Sequence, residues 1–141
     1  KKAVERFVEV THERYKEVVG DEFDETVPAI FTDEPQFTRK TLMDNSTDTD
    51  DLIMPWTDDF AKTYSDTYSQ DIMEFLPEIF WDLPDGKVSA ARYRYHDHIA
   101  ERFSSAFADT VGGWCRENGI ALTGHMMDEP TLIPLVRAAR Y

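Results

Sequence analysis

One tripeptide occurs twice in this chain, and each time it closes the same kind of local sequence. Asp33-Glu34-Pro35 follows the run Val27-Pro28-Ala29-Ile30-Phe31-Thr32, and Asp128-Glu129-Pro130 follows Ile120-Ala121-Leu122-Thr123-Gly124-His125-Met126-Met127. Both runs are short and largely apolar, as buried strands are, and both follow helical patterns. Helix, strand, helices, strand is the alternation from which parallel α/β sheets are built. Such sheets gather their functional groups at the carboxyl ends of the strands, and here those ends are acidic. No other repeat joins the two regions, so the tripeptide is a local solution used twice rather than the trace of a duplicated domain.

The helical patterns have definite limits. Val4, Phe7, Val8, Thr11, Tyr15, Val18 and Val19 recur at three- and four-residue spacing and predict a helix over 1–19,. Its other face carries Glu5, Arg6, Glu9, Glu13, Lys16 and Glu17, and Gly20 is expected to stop it in a left-handed turn,. The first strand is expected over 27–33, with Pro28 at its entrance because proline cannot donate to a ladder. Residues 36–67 read as a long loop. A helix follows over 69–82, kinked or restarted at Pro77, then a turn at Asp85-Gly86. A longer helix over 90–118 presents Tyr95, Ile99, Phe103, Phe107, Val111 and Trp114. Gly112-Gly113 weaken it, Asn118-Gly119 close it, and the second strand is expected over 120–127.

Composition narrows the function. A formal net charge of −13 over 141 residues disfavours nucleic acid and anionic membranes, both of which want a basic surface. No apolar run approaches the ~20 residues that span a bilayer, and nothing resembles a signal peptide. A hydrophobic content of 41% argues for a packed core. Cys115 is the single cysteine, which excludes an internal disulfide and a cysteine-built zinc site; on its apolar stripe it reads as a buried, inert thiol.

Two carboxylates on one rim are what cleavage of a glycosidic bond needs: one protonated to give a proton to the leaving oxygen, the other to attack or to activate water. Glu34 and Glu129 are the candidates for these roles, with Asp33, Asp128 and His125 beside them as candidates for holding the sugar. The competing reading is that these acids only cap the turns after their strands. Trp56, in the polar loop, offers a ring that can stack on a sugar or else anchor its own loop. His96-Asp97-His98 lies at the start of a helix, where residues two apart point to different sides and chelate poorly. The acidic run Asp44 to Asp51 offers oxygens to Ca²⁺ but lacks the glycine and terminal glutamate of an EF-hand, so a solvated loop is the expectation. Asn45-Ser46-Thr47 matches a glycosylation sequon.

Three stretches carry a family resemblance: "AVERFVEVTHERYKEVVG" leading into "VPAIFTDEP", then "RYRYHDHIAERFSSAFADTVGGWCRENGIALTGH", then "MMDEP". Together they resemble the catalytic barrel of large bacterial glycoside hydrolases similar to the family 106 α-L-rhamnosidases and their uncharacterised relatives. The resemblance implies a (β/α)8 (TIM) barrel enzyme acting on plant or bacterial glycans, by retention or inversion. Glu34 and Glu129 would sit near the ends of its fourth and fifth strands, or the second carboxylate would lie on a strand beyond Tyr141. It implies no cofactor other than Ca²⁺, which some relatives use near the sugar, with no ligands assigned. A complete barrel takes roughly 200 residues or more. Two strands in 141 residues are therefore expected to be an internal fragment, an incomplete (β/α)8 barrel with two parallel strands and long amphipathic helices. Alone it should be inactive and open to self-association through exposed edges. The alternative is a non-enzymatic acidic domain that binds carbohydrate or protein.

Overall fold

A computed structural model describes residues 1–125 apart from 39, 42, 44 and 46. It is mixed α/β, with two parallel strands. The chain divides into two compact units, residues 1–36 with 100–141 and residues 37–99.

The first unit is a helix-backed pair of strands. Helix α1 spans Lys2–Val19. Gly20 is right-handed, not left-handed as expected, and carries the chain into a 3-10 turn, Gly20–Glu22; the left-handed residue is Asp24, at φ 70°. Strand β1, Ala29–Asp33, pairs in parallel with β2, Ala121–His125, in the register Ala29↔Ala121 to Asp33↔His125. The expected strand 120–127 ends in residues 126 and 127, which lie outside the described residues. Pro28 stands before β1 and accepts from the Ala121 amide through its carbonyl, 2.9 Å away, so its missing N–H leaves no gap within the strand,.

Val8, Val111, Trp114, Cys115 and Ile120 form the buried core of this unit, with Val4, Phe23, Ile30, Phe107 and Leu122 against it. The sheet therefore has a covered face, with Ile30 and Leu122, and an open one. Along β2 burial alternates strictly: Ala121, Thr123 and His125 are exposed, Leu122 and Gly124 partly covered. Helix α1 is likewise only half used, since Val8 and His12 are buried while Phe7, Val10, Tyr15 and Val18 stay exposed. His12 is 2% exposed. Its Nδ1 lies 2.8 Å from Thr11 Oγ1, which donates its own proton to the Phe7 carbonyl at 2.6 Å. The hydroxyl must accept from His12, so Nδ1 carries the proton and Nε2 is bare, buried and unpartnered,.

In the second unit helix α2, Phe60–Tyr68, occupies a stretch expected to be loop. Ser69, expected to open a helix, closes this one as a left-handed cap at φ 54°. The segment is polar, and its aromatic stripe is only Phe60, Tyr64 and Tyr68, at four-residue spacing. Its first two rings are buried, beside Met43, Ile72, Ile79, Phe80, Ala91, Tyr95 and Ile99. The expected helix 69–82 is a 3-10 turn, Ile72–Phe75, followed by the short α3, Leu76–Phe80, which restarts with Pro77 in its first turn,. Helix α4, Ala90–Phe103, continues through a π turn, Ser104–Ala108, into α5, Asp109–Glu117. Asn118 and the left-handed Gly119, at φ 73°, end that run.

Candidate functional site at the strand ends

Parallel pairing brings the carboxyl ends of β1 and β2 together. In register, Asp33 faces His125, with Oδ1 3.6 Å from Nδ1, and both side chains are largely exposed. The Phe31 ring packs edge-on against the His125 imidazole, centroids 5.2 Å apart and planes at 78°. Phe31 is 57% exposed. The result is a carboxylate, an imidazole and an aromatic ring presented side by side on the open sheet face. That set can hydrogen-bond vicinal hydroxyls and cover an apolar ring face.

Glu34 takes a different direction. Its φ of 44° is left-handed, so the chain turns out of the strand there. Its amide still donates to the His125 carbonyl oxygen at 3.0 Å, the last rung of the ladder. Glu34 is exposed, which leaves its carboxylate free to act toward a ligand rather than as core. Asp128 and Glu129 lie outside the described residues, so the second member of the proposed carboxylate pair is not placed.

Gly124 makes the strand ends possible. Its φ is 153°, and a Cβ built there would sit 1.9 Å from the Thr32 carbonyl oxygen on β1. The sequence holds no direct sign of this close approach beyond a glycine inside a strand pattern, which by itself marks a bulge or a tight backbone contact.

The remaining sequence candidates lie in the second unit. Trp56 packs at a tilt of 35° against the buried Phe60, centroids 4.5 Å apart, and is 39% exposed; Tyr95 OH donates to the preceding Pro55 carbonyl at 3.0 Å. Trp56 thus anchors its loop while keeping part of its ring open. His98 meets Thr63 Oγ1 through Nε2 at 2.9 Å, and Asp97 accepts from Tyr68 OH at 2.6 Å. Burial lowers the His96 pKa, and Lys40 and Arg92 lower it further. Asp97 and His98 thus hold packed helices together. Among the described residues no group of three or more His, Cys, Asp or Glu side chains is placed to hold a metal. Of the acidic loop, Asp44 lies outside the described residues, and Asp48 accepts from the Asn45 amide at 2.9 Å.

Sequence reading missed Lys40. Burial, assisted by Arg92 and opposed by Asp82, lowers its pKa to about 8. Its Nζ donates to the Thr41 carbonyl at 2.9 Å and stands 5.3 Å over the Phe80 ring. A lone lysine in a polar loop gives no sequence signal for such a setting. Among the described residues, no helix is long and apolar enough to cross a membrane. No family model, no curated protein and no solved structure matches the chain.

Proposed function

We propose that this chain supplies part of the active-site rim of a glycoside hydrolase whose catalytic domain is a (β/α)8 barrel. Glu34 acts in it as a catalytic carboxylate, with Glu129 as its candidate partner; Asp33, His125 and Asp128 hold the sugar. The observation that supports this best is the register of the two strands. Parallel pairing aligns Asp33 with His125 and leaves Glu34 exposed at the same end, where barrel enzymes keep their chemistry. Carbohydrate is the implied substrate.

A second reading, an acidic binding domain without catalysis, draws on the Glu34 amide bonded to the His125 carbonyl, a contact that a turn-forming residue would make. One experiment separates the two. Hydrolysis of a panel of aryl glycosides is measured for the full-length parent protein and its Glu34→Gln form. The hydrolase reading expects turnover to fall by about 10²–10⁴-fold while folding persists. Near-normal turnover of an unactivated glycoside by Glu34→Gln would sink it. The isolated 141 residues should show no turnover. Activity that vanishes in their Glu34→Gln form would mean that they hold a complete site.

A further inference from the structure

Asn118-Gly119 lies in the short link, 118–120, between α5 and β2. The Asn118 amide donates to the Trp114 and Cys115 carbonyls at 3.1 Å, the Gly119 amide to Arg116 at 3.3 Å and the Ile120 amide to Cys115 at 3.1 Å. These bonds wrap the last turn of the helix in the closing motif that takes a left-handed residue at its exit. That residue is Gly119, at φ 73°; a Cβ there would meet nothing within 4 Å, so backbone angle rather than crowding asks for glycine,. Ala121 then opens the ladder, its amide donating to the Pro28 carbonyl at 2.9 Å.

An asparagine followed by glycine carries a latent reaction, because no side chain shields the glycine nitrogen from the amide carbon before it. A bond forms between Gly119 N and Asn118 Cγ, and the Cγ–Nδ2 bond breaks. The side-chain nitrogen leaves as ammonia, taking up the proton that Gly119 gives to solvent. Water then opens the cyclic imide at one carbonyl or the other, giving aspartate or iso-aspartate. In the folded chain both reacting groups are held. Asn118 Nδ2 donates to the Trp114 carbonyl at 2.8 Å, and the Gly119 amide is committed to Arg116. Attack requires both bonds to break, which is a fraying of the last turn of α5.

We propose that Asn118 is a self-modification site gated by this cap, and that its products cannot rebuild the cap. Ionised aspartate at 118 has no donor for the Trp114 carbonyl and sets a negative charge at the negative end of the helix. Iso-aspartate adds a methylene to the main chain just ahead of Ile120, which is 5% exposed and packed in the core of the unit. The longer link displaces Ile120 and Ala121 from the bonds they make. Modification is irreversible, so an opening that is transient in fresh protein becomes permanent in aged protein. The ladder that aligns Asp33 with His125 begins at Ala121. Ageing at Asn118 therefore loosens the strand ends, whether or not the parent cleaves glycosides.

The test incubates the whole chain at a mildly alkaline pH, folded in buffer and unfolded in guanidinium chloride. Peptide mapping by mass spectrometry follows each asparagine, with a fragmentation method that separates iso-aspartate from aspartate. Asn118 is expected to deamidate about tenfold or more faster in the unfolded chain than in the folded one. In the unfolded chain it should also outpace Asn45, the other asparagine, which is followed by serine. Folded protein enriched in the iso-aspartyl product should exchange its Ile120 and Ala121 amides several-fold faster than fresh protein. Asn118→Asp, which carries the charge without the longer main chain, should still fold but unfold at lower urea concentration. Equal rates at Asn118 in the folded and unfolded chains would overturn the proposal, as would slower reaction there than at Asn45. So would unchanged exchange at Ile120 and Ala121 in the product, or an unchanged midpoint in Asn118→Asp.

Discussion

Asp33 and His125 stand opposite one another at the last paired position of a parallel ladder, Oδ1 3.6 Å from Nδ1, both largely open to solvent. A polar contact this exposed contributes little to folding, on the order of 0–1 kcal/mol even between full charges. The pair is better placed to meet a ligand than to hold the strands, and the two roles give different mutational signatures.

Asp33→Ala should shift the denaturation midpoint of the chain by less than about 1 kcal/mol in free energy. In the parent it should weaken substrate binding or turnover about tenfold or more. Urea unfolding monitored by tryptophan fluorescence checks the first part. A loss of several kcal/mol would make the pair a structural clasp and remove it from the proposed rim.

Gly124→Ala should be far more costly. The added methyl would have to occupy space 1.9 Å from the Thr32 carbonyl oxygen, and that atom belongs to backbone that cannot rotate away. With a positive φ as well, a destabilisation of about 3 kcal/mol is expected, together with faster exchange of the Glu34 amide. A variant of unchanged midpoint would mean that the strands separate here without penalty.

His12 gives the first unit a dependence on pH. Burial lowers its pKa, an effect that Glu13 partly opposes, and protonation would add a donor at the unpartnered Nε2. The folded value therefore lies below the unfolded 6.5, and the unfolded state binds protons first as pH falls. Stability should be constant above pH 6.5 on this account and decline below it, until pH passes the folded value. His12→Phe should flatten that part of the profile. A decline of unchanged slope in the variant would assign it to other groups.

Lys40 should be the most reactive of the lysines toward a neutral-amine reagent at pH 8. With a pKa of about 8 half of it is unprotonated there, against under about 1% for a lysine at the ordinary 10.4. Lys62, raised by its hydrogen bond to Asp66, is the internal reference. Acetylation followed by mass spectrometry should modify Lys40 at least about tenfold faster than Lys62, and equal rates would contradict the burial described here.

What the sequence disclosed follows from how its signals are made. Helices with apolar residues on a three-and-four spacing, such as Val4 to Val19 or Tyr95 to Trp114, carry their period in the chain itself. The left-handed Gly119 and the turn at Asp85-Gly86 were legible because few residues adopt those angles readily. Helix α2 was hidden because three aromatic residues in nine, Phe60, Tyr64 and Tyr68, form its stripe, and polar residues fill the rest. The exposed face of α1 was hidden for the opposite reason: periodicity says which residues share a face, not whether anything covers it. The acidic strand end with Glu34 was visible as a motif. Its pairing with His125 depends on register between residues 92 apart, which no local pattern encodes.

The turn at Glu34 has a consequence for how this position can vary. A glutamate at φ 44° sits where glycine would be easier by roughly 1 kcal/mol, and its one described main-chain bond, from the amide to His125, would survive in glycine unchanged. Folding alone therefore does not ask for a carboxylate here. Glu34→Gly should raise the unfolding midpoint slightly while erasing whatever the side chain does. On backbone grounds alone, glycine or asparagine would suit this turn better than glutamate.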